Sequence, residues 1–428
     1  MHSVADKFRQ LTPDHESTRD PLAWNGYNEA LGKARELTGA PESVVYGHAV
    51  IGGVDVVLIE FDFRFLGGSV GTATGDRLVH AFATAREHRV AVVTLIATGG
   101  SRMQEGMFSL LQLQRVAAEC QLNRESGVPH IAVLRNPSTG GVWASLGAGA
   151  DIILGIAGAQ VAFGGRRVRS PEDADHPAFT SEGQFEAGLI DAVVTPEDLK
   201  ATLSAWLRLL TGGEPEPAEV PSSLGNKALP GSGWEAVQRA RDPRRPRADA
   251  YLESYFDSYS LISGDRAGGT DDGVLCGFGR RAGRTIAFAA QAGTATRPAG
   301  YRTATRLITT ADRLGIPVLT LIDTPGAAND AASEAGGLAA SISGAFSAVA
   351  ASRIPVTTLV IGEGGSGGAL ALAGAGRTWI TPDAYFSVIG PQAAAAILKR
   401  DDVLDLADQL RLRPQDLLDL GIVDGISS

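Results

Sequence analysis

The sequence has few cysteines, no metal-ligand spacing among its histidines and no long apolar run. Only two cysteines, Cys120 and Cys276, occur in 428 residues, which excludes a disulfide framework and a four-cysteine zinc ribbon. The seven histidines show neither H-x-x-x-H nor H-E-x-x-H spacing, so we expect no metal site. No apolar run is long enough to cross a bilayer, and the polar start lacks the apolar core of a signal peptide. We therefore expect a cytoplasmic protein.

Positive charge is also scarce. The 38 Lys and Arg residues face 48 Asp and Glu residues, which gives a net charge of −10. Phosphate binding needs a basic surface, so nucleic acid is not an expected partner. No Walker A sequence is present, so we do not expect ATP hydrolysis. Glycine, by contrast, is abundant at 53 residues, which indicates many tight turns and close backbone approaches.

An internal repeat organises the chain. The segment VVTLIATGG (92–100) returns as VLTLIDTPG (318–326), so that Thr94 corresponds to Thr320 at an offset of 320 − 94 = 226. Each segment is typical of a buried strand that ends in a glycine turn. In both copies, a stretch with apolar residues at helical spacing follows, and then a second apolar strand.

A second glycine turn closes that second strand. TGGV (139–142) matches SGGA (366–369) at an offset of 227, and two later landmarks keep the same order. Landmarks in constant order indicate duplication of an α/β unit with parallel strands and flanking helices. We predict an N-terminal domain over residues 1–211 and a C-terminal domain over residues 248–428. Residues 212–247, which are rich in Pro, Gly, Ser and Glu, are predicted to be a linker.

The glycine pairs lie where an oxyanion could bind. Backbone N–H groups between a strand and a helix N-terminus point outward, and glycine lets a substrate carbonyl approach them. A tight turn without a ligand would explain one such pair, but equivalent pairs in two repeats favour function. The earlier turns, Gly99-Gly100 and Pro325-Gly326, could add N–H donors. Each half would then form one oxyanion hole, which suits a reaction that stabilises two enolate-like groups in turn.

Other chemistry is less well supported. Gly364 to Gly368 fits the G-x-S-x-G nucleophile elbow, but the last histidine is His176, so Ser366 lacks the downstream partner that a serine hydrolase needs. Several carboxylates near the turns could act as general bases, although helix caps and solvated turns are the commoner explanation; these are Glu105, Asp323, Glu334 and Glu363. Three arginines could contact coenzyme phosphates, and solvated surface residues would explain them equally well; these are Arg102, Arg302 and Arg306.

At these residues the chain resembles the carboxyltransferase of bacterial acetyl-CoA carboxylase, over nearly everything beyond about residue 20. The first half is similar to the β subunit in the stretches DFRFLGGSVG (62–71), ATGGSRMQEGMFSLLQLQ (97–114), NPSTGGVWAS (136–145) and VAFGGRRV (161–168). The second half is similar to the α subunit in the stretches ARDPRRPRADAYLESYFDSYSLISGDRAGGTDDG (240–273), PAGYRTATRLITTADRLGIPVLTLIDTPGAA (298–328), VIGEGGSGGALAL (360–372) and YFSVIGPQAAAAIL (385–398).

The resemblance implies two crotonase-like ββα-spiral domains in tandem. It also implies transfer of a carboxyl group between carboxybiotin, held on a biotin carboxyl carrier protein, and an acyl-CoA. The first half would bind the coenzyme A thioester and the second half the biotin. The active site would lie between the first half of one protomer and the second half of another, so the resemblance implies a homo-oligomer, either a dimer or a dimer-based hexamer. A biotin carboxylase would be the further partner.

The resemblance also assigns residues. Gly140 and Gly141 would hold the thioester oxyanion, and Gly368 and Ala369 the ureido oxygen of biotin. The remaining expected substrate contacts are Gly99, Gly100, Arg102, Val142, Gly326, Gly367 and Arg302. Two alternatives stay open. One is a biotin-independent decarboxylase of a malonyl-type thioester, like the paired subunits of malonate decarboxylase, and the other is a scaffold that keeps the fold without its activity.

Overall fold

A computed structural model describes residues 4–13, 15, 20–166, 169–173 and 175–428. Arg167 and Val168, at the end of the VAFGGRRV stretch, lie outside these residues. The chain divides into two compact units. The first runs to Thr211 and includes Arg266–Gly268, and the second comprises Gly212–Asp265 and Gly269–Ser428.

The first unit is one sheet with helices packed on it. Its strands are β1 (Lys7–Leu11), β2 (Val44–Ile51), β3 (Val54–Phe61), β4 (Ala91–Thr98), β5 (His130–Thr139), β6 (Ile152–Ile156), β7 (Val161–Ala162) and β8 (Ala192–Val194). Its helices are α1 (Tyr27–Thr38), α2 (Thr72–His88), α3 (Met107–Glu125), α4 (Ser181–Glu186) and α5 (Leu199–Thr211), with a π-helical turn at Trp143–Gly147. The strand order is β1-β2-β3-β4-β5-β6-β8, and β7 pairs with β5.

The second unit repeats this plan. Its strands are β9 (Ser258–Leu261), β10 (Val274–Arg281), β11 (Arg284–Gln291), β12 (Val318–Thr324), β13 (Val356–Gly365), β14 (Thr378–Ile380), β15 (Tyr385–Ser387) and β16 (Gly425–Ile426). Its helices are α6 (Gly233–Arg241), α7 (Ala248–Tyr255), α8 (Pro298–Leu314), α9 (Ala331–Ala335), α10 (Leu338–Ala351), α11 (Ser366–Leu370), α12 (Pro391–Leu398), α13 (Val403–Gln409) and α14 (Pro414–Asp419). The strand order is β9-β10-β11-β12-β13-β14-β16, and β15 pairs with β13.

The two sheets therefore connect corresponding strands in the same order, which confirms the predicted duplication of an α/β unit. Antiparallel pairs begin each sheet, and parallel pairs follow from β3 and from β11. The central strands β4 and β12 are buried along their whole length. Parallel strands covered on both faces read as continuous apolar runs, which is the pattern that made them visible in the sequence.

The strand register corrects one detail of the repeat. Thr98 pairs with Ser138, and Thr324 pairs with Gly364, so both positions differ by 226 (324 − 98 and 364 − 138). The left-handed residue after each second strand follows the same offset, since these residues are Gly140 (φ 76°) and Ser366 (φ 56°). The offset of 227 inferred from the TGGV and SGGA motifs is thus displaced by one residue, because the match of glycines does not follow the backbone register.

The segment 212–247, predicted as a linker, packs on the second unit. Within it, α6 buries Ala236, Val237 and Ala240 in a cluster with Tyr385 and Leu412. This spacing of apolar residues places them on one face of the helix. The composition is that of a linker, but the apolar stripe of α6 gives the segment a place in the core of this unit.

Two kinds of feature are absent from the described residues. No helix is long and apolar enough to span a membrane. No group of three or more His, Cys, Asp or Glu side chains in the described ranges could hold a metal ion.

Candidate active site

In the first unit, two glycine turns meet at the carboxyl ends of β4 and β5. These neighbouring parallel strands end at the same edge of the sheet, which brings Gly100 against Gly140. A Cβ atom on Gly140 would lie 2.9 Å from the Gly100 Cα atom, and Gly140 has a φ of +76°. Both the close approach and the left-handed backbone therefore require glycine at position 140.

Three of the predicted N–H donors in this unit are already used. The Gly99 amide donates to the Gly67 carbonyl (2.8 Å), and the Gly100 amide donates to Thr98 Oγ1 (3.0 Å). The Gly140 amide donates to the Phe163 carbonyl at 3.0 Å. An amide that is committed inside the protein does not hold a substrate oxygen, so the structure corrects the direct roles expected of Gly99, Gly100 and Gly140. These residues instead shape the turns.

The next amides along the chain take the place of those donors. Gly141 and Val142 begin the helical turn after Gly140, where the first N–H groups have no intrahelical acceptor. The recorded hydrogen bonds of the described chain also give these two amides no other acceptor. The Val142 side chain is buried in the core, so the substrate contact expected of Val142 would be made by its backbone amide.

The sequence did not reveal Ser101. The Val70 amide donates to the Gly100 carbonyl (2.9 Å), and the Arg102 amide donates to the Val70 carbonyl (2.9 Å). Successive residues of an extended segment turn their amides to opposite sides, so the Ser101 amide faces away from Val70. The only signal in the sequence was its place directly after the Gly99-Gly100 turn. We call Ser101, Gly141 and Val142 the first amide set.

The second unit builds the same arrangement. The Gly326 amide donates to Thr324 Oγ1 (3.2 Å), as Gly100 does to Thr98, so the direct role expected of Gly326 is corrected in the same way. The Thr296 amide donates to the Gly326 carbonyl (3.1 Å), and the Ala328 amide donates to the Thr296 carbonyl (2.9 Å). This pattern leaves the intervening Ala327 amide facing away from Thr296, at an offset of 226 from Ser101 (327 − 101).

The helix α11 lies against this turn. A Cβ atom on Gly368 would be 2.4 Å from the Ala327 nitrogen, whereas one on Gly367 would meet nothing within 4 Å. No hydrogen bond of the Gly367 or Gly368 amide occurs among those of the turns, loops and caps that the structure describes. The structure thus brings the predicted Gly367, Gly368 and Ala369 together. We call these three residues and Ala327 the second amide set.

Arg102 does not reach solvent. Its side chain has no exposed surface and pairs with Glu42 through Nη2 to Oε1 (2.6 Å) and Nη1 to Oε2 (3.0 Å). Nη2 also donates to the Ser69 carbonyl (2.6 Å), and Nη1 donates to the Tyr27 hydroxyl (3.2 Å). The expectation that Arg102 binds coenzyme phosphates is therefore wrong for this conformation, because every direction of the guanidinium is occupied. It ties the loop before α2 to the loop that carries Ser101.

Two other arginines are also committed. Arg302 pairs with Asp265 through Nε (2.7 Å) and Nη2 (2.6 Å), and it donates to the Gly336 carbonyl (3.0 Å). Arg306 donates to the Ser263 and Gly264 carbonyls (3.0 and 3.1 Å). The direct substrate contact expected of Arg302 is thus replaced by an ion pair within the second unit.

Three of the four candidate bases are held by internal bonds. Glu105 accepts from the Thr72 amide (2.6 Å) and the Tyr27 hydroxyl (2.5 Å). Glu363 accepts from Arg241 (2.7 Å) and the Tyr385 hydroxyl (2.8 Å).

Asp323 is as fully buried as Glu105. Both of its oxygens lie 2.6 Å from Arg245 Nη2, and its side chain has no exposed surface. Burial raises the pKa of Asp323, and the Arg245 charge opposes this shift. Only Glu334, on α9, is exposed. The site therefore offers backbone amides rather than a poised side-chain base.

Comparisons with known sequences identify the family of the chain. The family model described as carboxyl transferase domain matches residues 15–171, and the model described as acetyl co-enzyme A carboxylase carboxyltransferase-like matches residues 231–428. The acetyl-coenzyme A carboxylase carboxyl transferase subunits beta/alpha of Salinispora arenicola are 38% identical over 97% of this chain and 78% of that protein. The probable biotin-dependent acyl-coenzyme A carboxylase beta3 subunit of Mycobacterium tuberculosis is 33% identical over 99% of this chain and 87% of that protein.

Two solved structures share the fold. The transcarboxylase 12S hexamer with bound methylmalonyl-coenzyme A and methylmalonic acid superposes with a TM-score of 0.80 at 21% identity, over 98% of this chain and 84% of that chain. A single-chain, multi-domain long-chain acyl-CoA carboxylase superposes with a TM-score of 0.76 at 18% identity, over 99% of this chain and 45% of that chain. These similarities confirm the predicted tandem crotonase-like fold.

Proposed function

Because the chain belongs to the acyl-CoA carboxylase carboxyltransferase family, as the fused β and α resemblance predicted, we propose that it transfers a carboxyl group between carboxybiotin on a carrier protein and an acyl-CoA. Curated relatives that carry both halves in one chain support this assignment over nearly the full length of the sequence. The names of the relatives mention biotin and a coenzyme A thioester only for those relatives. The proposal applies both to this chain.

The observation that carries the proposal is the pair of amide sets. Each combines one amide from the turn after the first strand, Ser101 or Ala327, with the first amides of the following helical turn. Fixed N–H donors stabilise negative charge that develops on an oxygen, and losing one such donor typically slows an enzyme by about 100- to 1000-fold. Two equivalent sets match a reaction in which two different carbonyl oxygens become negatively charged.

We assign the first amide set to the thioester. Ser101, Gly141 and Val142 would hold the thioester oxygen while the acyl α-carbon carries negative charge. Since Glu105 is held by Thr72 and Tyr27, this carboxylate is not assigned the removal of the α-proton. The protein then contributes orientation and electrostatic stabilisation rather than a nucleophile.

The second amide set fits the ureido group of biotin. The space beside Gly367 is open to a Cβ atom, and the adjacent donors are neutral amides of Gly368, Ala369 and Ala327. Neutral donors suit an uncharged cyclic urea whose oxygen gains negative charge only during reaction. Carboxybiotin, when bound, supplies the carboxyl group, and the residues of this set would orient the urea and hold its oxygen.

The proposal includes partners and assembly. We propose that a biotin carboxyl carrier protein and a biotin carboxylase deliver the carboxyl group, because the family models that match this chain are carboxyltransferase models. We propose a homo-oligomer, as in the hexamer of transcarboxylase 12S, with a dimer as the smallest unit. We place the reaction in the cytoplasm.

The test is a transfer assay with labelled carboxyl groups. A biotinylated carrier protein carrying a ¹⁴C-carboxyl group is mixed with the purified protein and, in turn, with acetyl-CoA, propionyl-CoA and longer acyl-CoAs. We expect label to move to at least one acyl-CoA and to stay on the carrier when the protein is omitted. If label moves to no acyl-CoA, the proposal is wrong. Release of CO2 from malonyl-CoA without any biotin would support the decarboxylase alternative instead.

A further inference from the structure

The Gly368 carbonyl has an unusual environment for a carbonyl in the first turn of a helix. It accepts a hydrogen bond from the Tyr301 hydroxyl (3.0 Å) and a second one from Gln291 Nε2 (3.2 Å). Both side chains belong to residues with no exposed surface. Two buried side chains from β11 and α8 therefore converge on one backbone oxygen at the second amide set.

This carbonyl has left the helical hydrogen-bond ladder. In α11, the Ala371 amide donates to the Gly367 carbonyl (3.0 Å), and the Leu372 amide donates to the Ala369 carbonyl (3.4 Å). In a regular helix the Leu372 amide would bond to Gly368. The Gly368 oxygen is instead drawn sideways to Tyr301 and Gln291, so its orientation is set by side chains.

The orientation of that oxygen fixes an amide of the site. In a planar trans peptide, the C=O of one residue and the N–H of the next point in opposite directions. We propose that Tyr301 and Gln291, together the Gly368 clamp, are positioning residues that aim the Ala369 amide into the second oxyanion hole. This inference rests on the proposed function, because it assigns the clamp to the biotin side of the reaction.

Further contacts tie the clamp to the opposite turn. Gln291 Nε2 also lies 3.1 Å from Thr296 Oγ1, and the Thr296 amide donates to the Gly326 carbonyl (3.1 Å). The same glutamine thus connects the segment that holds Ala327 with the segment that holds Ala369. It thereby sets the spacing of two donors in the second amide set.

The clamp also has features that stability alone does not explain. Gln291 Oε1 is buried and has no hydrogen-bond partner among the described residues, which costs free energy that an apolar side chain would avoid. Burial raises the pKa of Tyr301, so its hydroxyl stays protonated and remains a donor across neutral pH. The clamp therefore holds the carbonyl without adding a charge beside the hole.

The first unit contains no copy of the clamp. Strand pairing sets β11 against β3 at an offset of 230, so Gln291 corresponds to Phe61, whereas α8 and α2 keep the offset of 226, so Tyr301 corresponds to Gly75. Neither Phe61 nor Gly75 has a side-chain donor. The two holes have therefore diverged in what positions them. Loss of the clamp should affect the biotin side and leave acyl-CoA binding unchanged.

The experiment compares Tyr301→Phe with Tyr255→Phe as a matched control. The Tyr255 hydroxyl also donates from a buried ring to a backbone carbonyl, that of Glu219 (2.8 Å), in the same unit. We expect Tyr301→Phe to lower kcat for carboxyl transfer from carboxylated carrier to acyl-CoA by about tenfold, the effect of one lost hydrogen bond on a buried carbonyl. The KM for acyl-CoA and its dissociation constant should change less than about twofold, whereas Tyr255→Phe should leave kcat unchanged.

A second variant covers the case in which Tyr301→Phe does not fold. Gln291→Met removes the other donor and should lower kcat in the same way, again without weakening acyl-CoA binding. Unchanged kcat in a folded variant would overturn the inference, as would a loss confined to acyl-CoA affinity or matched by Tyr255→Phe. If the unmutated protein moves no label, the proposed function fails, and that result is distinct from a failure of the clamp.

Discussion

Replacing Arg102 by methionine separates a structural role from the coenzyme contact that the sequence suggested. The side chains of Arg102 and Glu42 have no exposed surface and form a two-point ion pair. The Arg102→Met variant keeps most of the side-chain volume but leaves the Glu42 carboxylate buried without its main partner. It also removes the donor to the Ser69 carbonyl.

The expected loss is large. Removing one partner of a buried ion pair costs about 3–5 kcal/mol, because the remaining charge stays buried without compensation. For a unit of roughly 200 residues, each kcal/mol lowers Tm by about 2–4 °C. We therefore expect the first unit to melt about 10 °C lower in Arg102→Met. Converting the remaining charge to an amide in the double variant Arg102→Met/Glu42→Gln should recover about half of this loss.

The assay is thermal unfolding followed by circular dichroism, with acyl-CoA affinity measured by calorimetry on the folded variants at low temperature. A variant that melts lower but binds acyl-CoA within about threefold of the parent would support the role as a tie between loops. A variant with unchanged Tm and a much weaker affinity for acyl-CoA would refute this reasoning and restore Arg102 as a phosphate contact.

Three further perturbations address the glycine turns and the acid limit of stability. Gly140→Ala should lower both Tm and activity, because the new Cβ would lie 2.9 Å from the Gly100 Cα on a backbone with φ +76°; a fully active, equally stable variant would contradict the close approach. Gly367→Ala should leave Tm unchanged, since its Cβ would meet nothing within 4 Å, yet raise the KM for the carboxylated carrier by at least about threefold if biotin occupies that space; unchanged kinetics would argue that it does not. The hydrogen bond and charge of Arg244 lower the pKa of Asp242 from 3.8 to about 2, so the stabilisation from this exposed pair is present above about pH 4 and is lost as the pH falls toward about 2. The free energies of unfolding of the parent and of Arg244→Met, measured in urea between these pH values, should therefore converge toward the acid end. A difference between them that grows as the pH falls would contradict the expected direction.

Much of the architecture was readable from residue patterns. The apolar runs of β4 and β12 are buried strands because both faces of a parallel sheet are covered. The constant spacing between glycine turns predicted the duplication. Corresponding elements that are joined by segments of the same length in both halves are expected to be connected in the same way. The first compact unit runs to Thr211 and takes in Arg266–Gly268. The helix α6 shows that a segment with the composition of a linker can also carry an apolar stripe that packs on a unit.

The glycine turns themselves were found from the sequence, but the roles within them were not. A glycine after a buried strand marks where backbone can approach a ligand. Whether its N–H points at that ligand depends on acceptors supplied by other segments. The Gly140 amide donates to the Phe163 carbonyl, and the Gly100 amide donates to the side chain of Thr98 in the strand that precedes it. At the turns that follow β4 and β12, the amides that remain available are those of Ser101 and Ala327, which carry no distinctive side chain.

The sequence by itself thus determined two homologous α/β units, the family to which they belong, and the short segments where oxygen could be bound. The tertiary structure decided which amides are unoccupied, that Arg102 is buried against Glu42, and that Tyr301 and Gln291 meet at the Gly368 carbonyl. The physical reason is the range of the interactions. Strands, helices and turns follow from neighbouring residues, whereas the partner of a hydrogen bond or a buried charge comes from segments tens of residues away, brought together only when the sheet has formed.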